Sequence, residues 1–161
     1  MIHNDILRGL RSALDLSDAQ LVVFFSRDRE EALSEEEARA LLGKEDDEGS
    51  IICSDALMET FLDSLIIDRR GQPRAGSRPR DLTKMTNNAV IKKLRIALSL
   101  QEGDMLAILK AGGQSMTKGE LTALFRKPLH KHYRDCGDQV LGAFLRGLTI
   151  RNSTATAETE I

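Results

Sequence analysis

Three residues with metal-ligating side chains fall within seven positions, His130, His132 and Cys136. Imidazole nitrogen and thiolate sulfur are donors zinc prefers, but a structural site takes four ligands and a catalytic one takes three plus water. No second His or Cys pair elsewhere in the chain completes the set, so the spacing predicts no metal centre. Asp46, Asp47 and Glu48 form an acidic cluster that lacks the glycine and the spaced oxygen ligands of a calcium loop. Cys136 would need a base such as His132 to act as a nucleophile. Phosphate-loop, nucleophile-elbow and dinucleotide-binding signatures are all missing. The expectation is a protein without catalytic residues, cofactor or metal.

A second constellation is cationic. Lys118, Arg126, Lys127, Lys131 and Arg134 surround "LKAGGQSMTKGELTALFRKP", which reads as helix, glycine-containing turn and helix, and these side chains suit phosphate or another anion. The equivalent stretch earlier in the chain, "SEEEARALL", would repel a phosphate backbone, and aromatics for base stacking make up 4% of residues. A nucleic-acid binder would therefore use one half of the chain alone. Residues 1–72 hold 8 Lys and Arg against 17 Asp and Glu, and residues 73–161 hold 15 against 8, so a net charge of −2 conceals halves of −9 and +7. Opposed surfaces of this kind steer and orient association. A protein partner or self-association is the first expectation, and nucleic acid bound through the second half is the alternative.

The elements that must hold these residues come from a duplication. "CSDALMETFLDSL" begins at Cys53 and "CGDQVLGAFLRGL" at Cys136, while Asn4 to Leu14 aligns with Asn88 to Leu98 at an offset of 84 residues. Farther along the offset is 83, and the change falls among turn residues. Each copy reads as four helices. Ile6, Leu7, Leu10, Ala13 and Leu14 recur at helical spacing behind Asn4, as do Val90, Ile91, Leu94, Ala97 and Leu98 behind Asn88, with each Asn read as an N-cap. Helices over Asp18 to Arg27 and Glu102 to Ala111 follow. Ser34 with Glu37, and Thr117 with Glu120, form capping boxes for the third helices. In the fourth helices Leu57, Met58, Phe61, Leu62 and Leu65 match Val140, Leu141, Phe144, Leu145 and Leu148 as apolar faces.

Ser54 and Gly137 are the expected caps of the fourth helices. Asp55 and Asp138 then lie in first turns, where a carboxylate suits the helix dipole, and Cys53 and Cys136 act as hydrophobic staples. Arg11 and Arg95, matched at the edges of their apolar stripes, are expected to pair with Asp55 and Asp138, tying first helix to fourth in each copy; an anion site is the competing reading. The predicted organisation is all-α: an acidic repeat over 1–71, a basic linker over 72–86, a basic repeat over 87–152 and a disordered tail over 153–161. No apolar run approaches the roughly 20 residues of a membrane span, and the N-terminal stretch is unlike a secretory signal. With two cysteines and no disulfide framework, the expected compartment is the cytoplasm.

"NDILRGLRSAL", "LLGKEDDEG", "CSDALMETFLDSL", "NNAVIKKLRIALSL", "MTKGELTALFRKP" and "CGDQVLGAFLRGL" together resemble the YehS-like proteins, small bacterial proteins with two tandem copies of a domain of unknown function. The resemblance covers both copies, about Asn4 to Asn152. It implies an all-helical fold and no established activity or cofactor. Ser64 stands where the second copy has Gly147 and the family often has glycine, so helix packing there is expected to differ between the copies.

Overall fold

The computed structural model describes residues 1–27, 30–71 and 84–159, and among these all regular structure is helical, with no strand. The elements are α1 (His3–Leu14), α2 (Asp18–Ser26), α3 (Glu35–Ala40), α4 (Asp55–Arg70), α5 (Asn87–Ala97), α6 (Glu102–Ala111), α7 (Lys118–Leu124) and α8 (Asp138–Thr159). α1 to α4 and α5 to α8 repeat in the same order. Helix starts follow side-chain capping. Ser17, Ser34, Ser54, Thr86 and Thr117 each accept a hydrogen bond from the N–H three residues on, and Glu37 and Glu120 reach back to close the two boxes read from sequence. α8 continues through 153–159, the stretch read from sequence as the start of a tail. Residues 72–83 of the expected linker lie outside the described residues; Met85, just before α5, is buried.

The two repeats interlock. Within each, the second helix packs on the fourth, α2 on α4 and α6 on α8. The first helix of each repeat lies along the fourth helix of the other, α1 on α8 and α5 on α4. Both crossed pairs run parallel. Along α1 and α8 the contacts advance together: the Met1 ammonium lies 2.7 Å from Asp138, Gly9 faces Leu145, and Asn152 donates to the Ala13 carbonyl. Along α5 and α4, Lys93 pairs with Asp63 at 2.5 Å, and Arg70 farther on reaches Ser99 Oγ at 2.9 Å. A continuous core results, with Leu7, Leu10, Phe25, Phe61, Leu94 and Phe144 all fully buried.

The repeats differ where Gly147 replaces Ser64. Ser64 Oγ lies 2.8 Å from the Phe24 carbonyl of α2 and 2.7 Å from the Thr60 carbonyl of its own helix, so its hydroxyl bridges the α2–α4 crossing. Ile108 occupies the position of Phe24 in the second repeat. A Cβ on Gly147 would stand 1.9 Å from the Ile108 carbonyl oxygen, so α6 and α8 meet backbone to backbone. The first repeat fills the wider crossing with aromatics: Phe61 stands edge-on to Phe24 at 5.6 Å and tilted against Phe25 at 5.0 Å.

Because an added methyl at Gly147 must push two backbones apart, Gly147→Ala is expected to lower unfolding free energy by about 2–3 kcal/mol. Gly103→Ala, facing open space in α6, is expected to be neutral or stabilising by up to about 1 kcal/mol. Urea denaturation of the two variants measures the contrast.

Candidate functional site

Each repeat presents one loop between its third and fourth helices, and one buried asparagine holds each loop in place. Asn4, fully buried, donates to the Gly43 carbonyl at 3.0 Å and the Ile51 carbonyl at 2.8 Å and accepts from the Cys53 N–H at 2.8 Å. Asn88 repeats the arrangement with the Leu124 and Arg134 carbonyls, both at 2.9 Å, and the Cys136 N–H at 2.8 Å. Asn4 and Asn88 are therefore not N-caps. Ile2 and Thr86 hold those positions, and each Asn lies inside its helix, where its amide satisfies three backbone groups of a distant loop. The loops themselves turn through Asp47 N–H to Lys44 O and through His130 N–H to Lys127 O.

Clamped alike, the loops present opposite surfaces. In the first repeat Glu45, Asp46, Asp47 and Glu48 are exposed, followed by Ile51 and Ile52 at 46% and 52% exposure. In the second, Lys127, Lys131 and the two histidines surround Leu129, which is 100% exposed. Arg126 approaches the His130 ring at 3.2 Å, and the His130 and His132 rings lie 5.7 Å apart. Arg134 is engaged with Glu120 at 3.0 Å, so the outward cations of the set are Lys118, Lys127 and Lys131, with Arg126 half-buried. Cys136 is buried beneath the loop, its thiol aimed at the Gly137 carbonyl, and does not join His130 and His132. Among the described residues no group of three or more His, Cys, Asp and Glu gathers where a metal ion could be held.

The expected arginine pairs are corrected. Arg11 bonds Asp18 at 2.7 Å, bracing α1 against the start of α2, rather than Asp55. Arg95 donates to the Leu100 carbonyl at 3.2 Å and lies 4.8 Å over the Phe125 ring, rather than reaching Asp138. Both sit in the last turn of their helices, opposite the end where Asp55 and Asp138 begin α4 and α8. First helix and fourth are tied within each repeat, but by the residue preceding each clamp: His3 lies 2.6 Å from Asp55, and Asn87 donates to Asp138 at 2.8 Å. Phe61 and Phe144 are fully buried. The clamp asparagines are visible in sequence as matched letters, but each precedes its apolar stretch beside polar residues, so no local signal marks its burial.

Electrostatics follow the geometry. Burial pushes the Cys53 thiol up to about 12 and the Cys136 thiol up to about 11, with Asp55 and Asp138 adding to the effect. The terminal ammonium and then Asn87 hold Asp138 below the usual carboxylate range. Glu120 is held low by the Thr117 N–H and by Arg134. For Asp18, burial raises the value but Arg11 and Arg39 outweigh it.

Among the described residues no helix is long and apolar enough to cross a membrane. Asn4→Ala is expected to cost about 3 kcal/mol and Asn88→Ala, less buried, about 2 kcal/mol, as each strands two carbonyls and an N–H; urea melts give the values, and faster amide exchange at Cys53 or Cys136 locates the damage. The depressed carboxylates contribute stability above the unfolded carboxylate range, lost as pH falls through their folded values. The raised thiols favour the folded state until pH climbs past the unfolded thiol value near 9, beyond which stability declines. Stability measured against pH is therefore expected to fall at both extremes, and a thiol-specific disulfide reagent at pH 8 is expected to label neither cysteine until the chain is unfolded.

The chain is 42% identical over 151 residues to the "Uncharacterized protein YehS" of Escherichia coli (strain K12), covering 94% of this chain and 96% of that protein. No solved structure matches. The family described as "Protein of unknown function (DUF1456)" matches twice, over residues 3–71 and 87–153. Two tandem matches to one family, on the two segments that fold as matching sets of four helices, make this chain a member of that family with its domain in duplicate.

Proposed function

We propose that this protein is a non-catalytic interaction module of the cytoplasm that works through its two clamped loops, the basic loop of one molecule docking on the acidic loop of another. One observation carries the reading: the two surfaces are complementary in charge and in apolar content. Leu129 stands fully exposed among Lys127, Lys131 and the histidines, while Ile51 and Ile52 stand exposed beside Glu45 to Glu48. An apolar centre rimmed by charge is the anatomy of a protein contact, and the asparagine clamps keep both surfaces ordered before contact, which lowers the cost of association. Joining unlike patches makes the contact heterologous, so assembly closes as a ring or propagates.

Sedimentation velocity at low and high salt tests this reading. Association at low salt is expected, weakened as screening increases. Lys127→Glu with Lys131→Glu is expected to leave the chain monomeric, as is Asp46→Lys with Glu48→Lys, and mixing the two variants is expected to restore a complex through the acidic loop that the first retains and the basic loop that the second retains. Monomers at every concentration would overturn self-association. Retention of such monomers on a nucleic-acid column through the same lysines would instead favour a polyanion partner for the second repeat.

A further inference from the structure

At the end of the bundle where α1, α4 and α5 terminate, a cavity of about 430 Å³ opens between the repeats. Its apolar wall is Leu14, Leu98, Leu100 and Leu148, and its charged lining is two arginines, Arg69 and Arg151, against one carboxylate, Asp15. Leu14 and Leu98 are matched positions of the duplication, so the cavity lies where the two repeats face one another.

Helix C-termini attract arginine for a reason unrelated to ligands, because the last carbonyls carry partial negative charge. At the ends of α5 and α1 that duty is performed by other side chains, while at α4 Arg69 and Arg70 both lie in the last turn. Arg70 donates to Ile96 O and Ser99 Oγ at the end of α5, Arg95 donates to Leu100 O, and Asn152 donates to Ala13 O near the end of α1. Arg151 is not at a terminus, since α8 runs on to Thr159. Among the described residues each rim arginine has one long ion pair, Arg69 with Asp68 and Arg151 with Asp104, both at 3.9 Å and too long for a hydrogen bond. Two planar donor forks thus line one cavity, neither hydrogen-bonded to a backbone carbonyl among the described residues. The volume is within the range of small-molecule sites, about 300–1,000 Å³.

We infer that this cavity binds a small amphipathic anion, a carboxylate or phosphate head held by Arg69 and Arg151 with its apolar body against the four leucines. Guanidinium forks match both heads in geometry, and the leucine wall selects for an apolar body over a bare anion. The site is separate from the loops of the proposed function and stands or falls without them.

Thermal unfolding of the full chain with hexanoate and with hexyl phosphate tests it, using acetate, inorganic phosphate and hexanol as head-only and tail-only controls. A ligand at ten times its Kd is expected to raise Tm by about 3 °C, with the controls at the same concentration giving less than a third of that. The relative shifts from hexanoate and hexyl phosphate assign the head. Arg69→Gln with Arg151→Gln, both exposed at the rim, is expected to weaken binding at least tenfold while leaving the ligand-free Tm within a few degrees. Should that variant unfold, methyl NMR of the unsubstituted chain decides: ligand-induced shifts confined to Leu14, Leu98, Leu100 and Leu148 support the site. Equal shifts in Tm from the controls, binding retained in the folded double variant, or methyl shifts elsewhere would overturn it.

Discussion

Each first helix has its apolar stripe covered by the fourth helix of the opposite repeat, and almost every other feature of the molecule answers to that exchange. Ile6, Leu7 and Leu10 of α1, like Val90, Ile91 and Leu94 of α5, are buried to within about one percent, so each stripe depends on a surface from the other half of the sequence. Parallel pairing gathers the starts of the four long helices at one end and their C-terminal carbonyls toward the other. The residues at the two ends complement this polarity: Asp5, Asp55 and Asp138 lie in first turns, and Arg11, Arg69, Arg70 and Arg95 in last turns. Side chains that look like candidate site residues in a linear reading are thus largely explained by where the parallel helices begin and end.

Much of the local structure was legible in sequence because its causes are local. The capping boxes at Ser34 and Thr117, and the apolar step through Phe61 and Leu65 or Phe144 and Leu148, fix elements without reference to anything distant. The exchange of first helices was not legible, since an apolar stripe carries no record of which copy of a near-identical surface covers it. The role of Asn4 and Asn88 is hidden for a related reason. Asn before an apolar stretch is a good cap by local preference, and its burial against a loop 46 or 47 residues away is a tertiary fact. The expected pairing of Arg11 and Arg95 with the acids of the fourth helices fails, since Arg11 meets Asp18 of α2 and Arg95 meets a carbonyl and an aromatic ring. A helical projection gives the face of a side chain and not the end of the neighbouring helix that it meets.

The loops show how a shared frame separates position from chemistry. Both are fastened by three hydrogen bonds to one asparagine, two of them at matched positions, and both cover a buried cysteine whose thiol is kept protonated. Nothing in that fastening uses the outward side chains. The loop surface is therefore free to vary in charge at little cost to stability, as exposed substitutions away from caps and clamps generally are. The crossings beneath are less tolerant: Ser64 with its aromatic neighbours and Gly147 with its bare backbone contact are two different solutions at one position, each committed to its own spacing.

The interlocked arrangement also carries an ancestry. A polypeptide with one copy of this unit would expose the stripe of its first helix and the matching face of its fourth, and two such chains could cover both by exchanging helices about a two-fold axis. Fusing them end to end would preserve every buried contact while lifting the rule that both subunits be identical. A symmetric pair must carry the same loop twice, so it cannot be acidic at one loop and basic at the other. On this view, fusion freed Glu45 to Glu48 and Lys127 to Lys131 to differ in charge within a single molecule.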